Sequence, residues 1–386
     1  MTEGGIIDPD VIRCEPLQWP VTSRVGPGLQ GAVINDTEIF GHDCMSGVVR
    51  YRGVTLPELH GRSFEEVAFL VIRGSWPDDD PSAWKEFREE LLRGRQLPGE
   101  LDDLVRAMPI SVTPDRVLGV VLSAAEELEG EPLSQGLGFW LGRMGALVES
   151  LMSRGHDASS QEPFAGMAKS VLHRMSQGHG ARPPGKEDVE LLERCWNLNL
   201  DQDLDPATFS GMVVASCGTG PSGYLSAYVS ALSGQYLSGS GERLMRLFQS
   251  FPGTEASREW VHRQVESGGR VPGFGHPLQV ASDPRLALLR ESLREIVVRQ
   301  GRHDLYQIIL AYEEAGNELL EPLGMFPNRL LSLAGIYTLL GALPRHCVVL
   351  ESIPRSVGLL ARVEEMSSHS RILRPRLDSS ARSSLS

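Results

Sequence analysis

The sequence predicts an all-α protein. Two observations carry that expectation: apolar residues recur at helical spacing along most of the chain, and the alternating pattern of a half-buried strand is rare. Hydrophobic content of 41% and charged content of 23% are ordinary for a globular chain, and 386 residues suit one large or two unequal domains.

The best short strand is "SGVVRYRG", Ser46 to Gly53. A helix follows, with Phe64, Val67, Ala68 and Val71 at i, i+3, i+4 and i+7, Ser63 as N-cap and Glu66 at the capping-box position. After Pro114, the apolar stripe is Val117, Val121, Ala124 and Leu128. Trp140, Met144, Leu147 and Leu151 form the next, and Gly138, Gly142 and Ala146 share a face there that lets a neighbouring helix approach closely. Leu286, Leu289, Leu293 and Val297 define a helix that Asp283 caps and Pro284 opens. Leu305, Ile308, Ile309 and Tyr312 continue the series. "LLSLAGIYTLLGAL", Leu330 to Leu343, is too short to span a bilayer and reads as a buried helix. Loops are marked by "SWPDDDPS" and "GHGARPPGKED", and "LDSSARSSLS" is a frayed Ser-rich end. No internal repeat is present.

The net charge of −13 argues against non-specific nucleic-acid binding. Five widely spaced cysteines without a Cys-x-x-Cys fit a reducing compartment and no zinc site. The N-terminus lacks the apolar region of a signal peptide. The expectation is a soluble cytoplasmic protein with no membrane or nucleic-acid partner and no metal.

Several strings invite a site and lose to plainer readings. "GTGPSG", Gly218 to Gly223, fits a dinucleotide fingerprint, but the chain does not alternate strands and helices, so a turn between two helices is preferred. "DQDLD", Asp201 to Asp205, fails as a calcium loop because Pro206 and Met212 hold the glycine and glutamate positions; it reads as a solvated acidic turn capping the next helix. "LSGSGERL", Leu237 to Leu244, could nest an anion but alone reads as a Ser/Gly loop. "RVPGFGHPLQVASDPR", Arg270 to Arg285, is stronger. Its glycines allow close backbone approach, His276 can donate to a carbonyl oxygen, and Arg285 can clamp a carboxylate; a satisfied structural histidine is the alternative.

That stretch resembles the citrate synthase family, which carries a Gly-(Phe/Tyr)-Gly-His turn followed by Asp-Pro-Arg at this spacing. "GLQGAVINDTEIFG", "GVVRYRGVTLPEL" and "SFEEVAFLVIRGSWP" are similar to the family's N-terminal region in the same order. "DPATFSGMVVASC" resembles its Asn-x-Ser-Thr-Phe helix, "PNRLLSLAGIYTLLG" the helix near its Pro-Asn-Val-Asp, "IPRSVGLLARVEE" its Ala-Arg-x-x-Gly stretch and "RILRPR" its C-terminal Arg-Pro-Arg. The likeness runs over residues 28 to 376.

The resemblance implies a homodimer of a citrate synthase-like fold. Its large helical domain would be 28–233 with 341–376 and its smaller mobile domain 234–340, flanked by a poorly ordered segment 1–27 and a tail 377–386. It implies condensation of acetyl-CoA, or another short acyl-CoA, with oxaloacetate or a related 2-oxo acid, with no permanently bound cofactor. That chemistry needs a carboxylate to take a proton from the thioester methyl group, a histidine to stabilise the enolate and a second histidine to polarise the ketone. His276 matches the ketone-polarising histidine. Arg285 and Arg355 match carboxylate-binding arginines, Arg374 the arginine that reaches the partner's site, and Asn328 the asparagine beside the catalytic acid. Val271, Pro272, Gly273, Phe274 and Gly275 match the backbone that wraps the adenine of CoA.

Four positions depart from the pattern. Leu237 stands at the enolate-stabilising histidine, Leu330 at the proton-abstracting aspartate, Gln202 at a substrate-binding histidine and Val280 at a basic residue on the CoA side. Leucine neither accepts nor donates a proton. Two readings follow. An acyltransferase would need a replacement base such as Asp203, Asp205 or Glu242. A non-catalytic homologue would bind a dicarboxylate or CoA ester, or lend Arg374 to an active paralogue as a partner subunit.

Overall fold

The computed structural model describes residues 27–29, 32–34, 36–43, 48–129, 135–154, 164–179, 183–275, 283–367 and 372–375. His276 and Val280 lie outside these described residues.

Extended structure among them is a small antiparallel sheet of β1 (Phe40–Asp43), β2 (Val48–Tyr51) and β3 (Val54–Thr55), in that order. The expected strand is β2. Arg52 and Gly53 join β2 to β3 with φ of 48° and 81°, the two positive values of a tight hairpin turn.

The remainder is helical. α1 (Phe64–Arg73) begins as the sequence predicts: Ser63 Oγ accepts from the Glu66 N–H at 3.3 Å, and Glu66 accepts from the Ser63 N–H at 2.9 Å. Its stripe of Phe64, Val67, Ala68 and Val71 is fully buried. α2 (Pro81–Gly94), α3 (Gly99–Ala107), α4 (Pro114–Ser123) and α5 (Ala125–Glu129) follow. The stripe expected to run from Val117 to Leu128 breaks where Ala124, at φ −108° and ψ 0°, leaves helical geometry, so Leu128 turns outward and is 40% exposed.

α6 (Leu137–Met152) crosses α2 at the expected small residues. A methyl group on Gly142 would lie 2.2 Å from the Leu91 carbonyl oxygen, and one on Gly94 of α2 would lie 1.9 Å from that of Phe139. The two backbones therefore touch. Next come α7 (Met167–His179), α8 (Lys186–Asn197), α9 (Pro206–Ser216) and α10 (Pro221–Leu232). "GTGPSG" is the turn between α9 and α10, with Gly218 at φ 83°.

α11 (Ser238–Ser250), α12 (Thr254–Glu266), α13 (Pro284–Gln300), α14 (His303–Leu320) and α15 (Leu330–Leu339) pack on one another, and α11 also rests on α16 (Cys347–Ser367). "LSGSGERL" is thus the first turns of α11 rather than a loop. Phe248, Phe251, Trp260, Phe274 and Tyr312 form an aromatic cluster inside this group, where Trp260 stacks on Tyr312 at 5.8 Å. α16 is buried from Cys347 through Arg362 and packs on α1, α6, α9 and α11. Among the described residues no single helix is long and apolar enough to cross a membrane.

Candidate functional site

Burying α16 along its length takes its charged residues into the interior, where each needs a countercharge. Arg355 donates to Asp205, which also caps α9 by accepting from the Ala207 N–H at 2.7 Å. Arg362 grips Asp201 through two hydrogen bonds, of 2.8 and 3.2 Å, and lies 3.6 Å from Asp203. Glu351 accepts from the Tyr337 hydroxyl at 2.5 Å and from Asn199 Nδ2 at 2.6 Å. Gln202 donates to Asn199 at 3.1 Å, so the site position it was assigned serves this network. The turn "DQDLD" caps the next helix as expected, but its Asp201 and Asp205 are held in buried ion pairs rather than solvated.

Arg285 meets this cluster from the first turn of α13. Its Nε and Nη2 each donate to Asp283 at 2.9 Å, and its backbone N–H donates to the same carboxylate at 3.0 Å. Burial opposes ionisation of Asp283, and Arg285 overrides it, holding the carboxyl well below the usual range. Burial likewise opposes the charge on Arg355, and Asp205 outweighs it, so that guanidinium stays protonated. Arg329, between Asn328 and Leu330, is the fourth buried guanidinium of the cluster. Its Nη1 lies 3.3 Å from Glu351 Oε2 without the alignment of a hydrogen bond. Burial pushes the Arg329 pKa down, and Arg285 and Arg355 add to that shift against the opposing pull of Glu351. The Arg285 Nη1 and Tyr228 hydroxyl are also buried without a hydrogen-bond partner. Each such orphan costs about 1–3 kcal/mol.

The turn 271–275 lies beside this cluster. The Tyr312 hydroxyl donates to the Pro272 carbonyl at 3.0 Å. Gly273, at φ 85°, and Gly275, at φ 81°, take backbone conformations that favour glycine. Phe274 packs its ring so closely on Gly316 that a methyl group there would lie 2.1 Å away. Asn328 ties the turn to α15: its N–H donates to Gly273 at 2.8 Å, its Nδ2 donates to Gly275 at 3.1 Å, and its Oδ1 accepts from the Leu330 N–H at 3.0 Å. Both polar atoms of the Asn328 side chain are therefore engaged by backbone groups. The Val271 side chain joins the core.

The apolar wall is formed where α11 meets α15. Leu330 is 9% exposed, and Leu237, immediately before α11, is partly buried against the core. A methyl group on Gly241 would lie 3.5 Å from Leu330 Cδ2 and 2.8 Å from the sulfur of Cys347. Burial pushes the Cys347 thiol well above its ordinary pKa, which disfavours a thiolate. The three replacement bases named from sequence are engaged: Asp205 by Arg355 and its helix cap, Asp203 by Arg362, and Glu242 by Arg246 at 2.5 Å. Arg374 is exposed. It follows Leu373, whose N–H donates to Ser216 at the far end of α9, about one helix length, roughly 16 Å, from Asp205. Arg374 therefore does not join the cluster within its own chain.

The sequence pattern of the family described as "Citrate synthase, C-terminal domain" matches residues 28–376. The chain belongs to the citrate synthase family. It is 26% identical over 374 residues to the citrate synthase of Heyndrickxia coagulans, covering 92% of this chain and 96% of that one. It is also 26% identical over 364 residues to the citrate/2-methylcitrate synthase of Bacillus subtilis, covering 91% and 95%. Its fold matches a solved citrate synthase from Thermoplasma acidophilum, a ternary complex with carboxymethyl coenzyme A and oxaloacetate, with TM-score 0.85 and 21% identity over 92% of this chain and 96% of that one. The Thermotoga maritima citrate synthase gives 0.78 and 23%, with the same coverages.

Within this citrate synthase scaffold, Arg285 and Arg355 feel each other's charge, each with an internal carboxylate. Sequence reasoning missed Arg329 and Glu351. The signal for Arg329 was legible: "PNRL" puts an arginine where the family motif Pro-Asn-Val-Asp has valine. Its approach to Glu351 joins the N-cap of α15 to α16, which the sequence does not place together.

Proposed function

We propose that this citrate synthase homologue binds a small organic acid, with an acyl-CoA along the turn 271–275, and does not carry out the proton abstraction that begins citrate synthesis. One observation carries the proposal. The resemblance places the acid and enolate-donor positions at Leu330 and Leu237, and the three carboxylates named as replacements, Asp203, Asp205 and Glu242, each pair with an arginine. Losing a general base lowers a rate about 10²–10⁴-fold, and losing an enolate donor lowers it roughly 10²–10³-fold more. The buried guanidiniums support acid binding.

A homodimer through α9 and α10 belongs to the same proposal. Both helices are apolar around much of their circumference, and Phe209, Val213 and Ala227 are left half-buried. Arg374 would then serve the neighbouring subunit. The test is to mix purified protein with acetyl-CoA and oxaloacetate and follow free thiol, with calorimetry of acids alone beside it. Acid binding without thiol release is expected. Sustained thiol release would contradict the proposal.

A further inference from the structure

Arg329 is the anomaly of the cluster. Arg285 and Arg362 are each held by a carboxylate through two hydrogen bonds, and Arg355 donates to Asp205. Arg329 is 4% exposed, yet its guanidinium makes no hydrogen bond among the described residues. The acceptor beside it, Glu351, is already met by Tyr337 and Asn199. The Arg329 Nη1 is buried with no hydrogen-bond partner and meets Glu351 only as an ion pair at 3.3 Å, so the guanidinium is retained against its own desolvation and fits an anionic ligand. Arg285 contributes a second orphan, Nη1, although its Nε and Nη2 are satisfied by Asp283.

Arg355 differs in having no nitrogen buried without a hydrogen-bond partner among the described residues. Asp205 occupies it from within the chain, and Asp205 is fixed in turn by the Ala207 N–H, the Thr208 N–H and the Thr208 hydroxyl. A second carboxylate on a ligand would meet that fixed negative charge where it needs a cation. Next to Arg329 in the chain, Leu330 packs towards Gly241 and the buried Cys347 thiol, a wall of low polarity.

We infer that the working anion clamp of this protein is Arg285 with Arg329, that Asp205 keeps Arg355 out of it, and that the ligand is a short aliphatic monocarboxylate. This rests on the acid-binding reading above and adds the class of acid. Arg329 is a specificity residue here.

Calorimetry on the full chain tests it with two matched pairs of four-carbon acids: butyrate against succinate, and 2-oxobutyrate against oxaloacetate. Each pair differs by one terminal carboxylate. The monocarboxylate is expected to bind at least tenfold more tightly in each pair. Arg329→Met should weaken it at least tenfold, and Asp205→Asn should improve succinate and oxaloacetate at least tenfold by freeing Arg355. If Arg329→Met does not fold, the wild-type preference and the Asp205→Asn gain decide. Tighter binding of the dicarboxylates, or unchanged butyrate and 2-oxobutyrate affinity in a folded Arg329→Met, would overturn the clamp and leave the acid-binding reading standing. No binding of any of the four acids would overturn both. Thiol release would contradict the non-catalytic reading without touching the clamp.

Discussion

At Leu237 and Leu330, hydrocarbon stands where the resemblance places the family's donor and base, and Arg355 is already occupied by Asp205. On the proposed reading, restoring the chemistry takes three changes. Leu237→His with Leu330→Asp returns the acid–base pair but leaves Arg355 occupied. Adding Asp205→Asn should raise thiol release from acetyl-CoA and oxaloacetate at least tenfold over the double variant, as a coupled thiol assay would show. Equal rates would mean that Asp205 does not limit substrate binding. The Arg362–Asp201 pair makes a separate prediction. Both side chains are buried, and removing one partner strands the other. Arg362→Met should lower unfolding free energy by about 3–5 kcal/mol in urea titrations.

Single helices were legible where local chemistry decides them. Ser63 and Glu66 close the predicted capping box, and Asp283 with Pro284 opens α13. The first turn of α11 was not legible, because its Ser and Gly residues have poor intrinsic helix preference and the helix is fixed by packing on α15 and α16. The α2–α6 crossing follows from glycine spacing on α6, while its reciprocal glycine on α2 became visible once the two helices were paired. Gly94→Ala places a methyl against backbone and should cost about 1–3 kcal/mol, measurable by denaturant unfolding. The packing of α1 against α8 sets a pH response. Burial raises the Glu193 carboxyl to about 7, and Glu65 adds to the shift. The folded chain then keeps a proton that the unfolded chain releases near pH 4.5. Stability present at acid pH is lost as pH rises toward about 7. Glu193→Gln should raise Tm at pH 8 and leave it unchanged at pH 4.5; an equal shift at both values would assign the effect to packing.

Over the whole molecule, ordered likenesses along residues 28 to 376 made the scaffold readable, and the family match spans the same residues. Arg285 and Arg355 were readable for the same reason, and Arg329 and Arg362 were not. Asp283 meets Arg285 two residues away at the cap of the same helix, whereas Asp205 and Glu351 reach Arg355 and Arg329 through helix placement, and a solvated acidic turn has the same sequence as a buried one. The resulting centre sets carboxylate-held arginines and the unmet Nη1 atoms of Arg285 and Arg329 near an apolar wall, which supports the proposed acid-binding reading. The central claim is the absence of the first chemical step. It is tested most directly by solvent deuterium exchange into the methyl group of acetyl-CoA, followed by mass spectrometry with purified protein and oxaloacetate present. No exchange above the protein-free control is predicted. Protein-dependent incorporation of deuterium would contradict the account, because it would show a working base in this site.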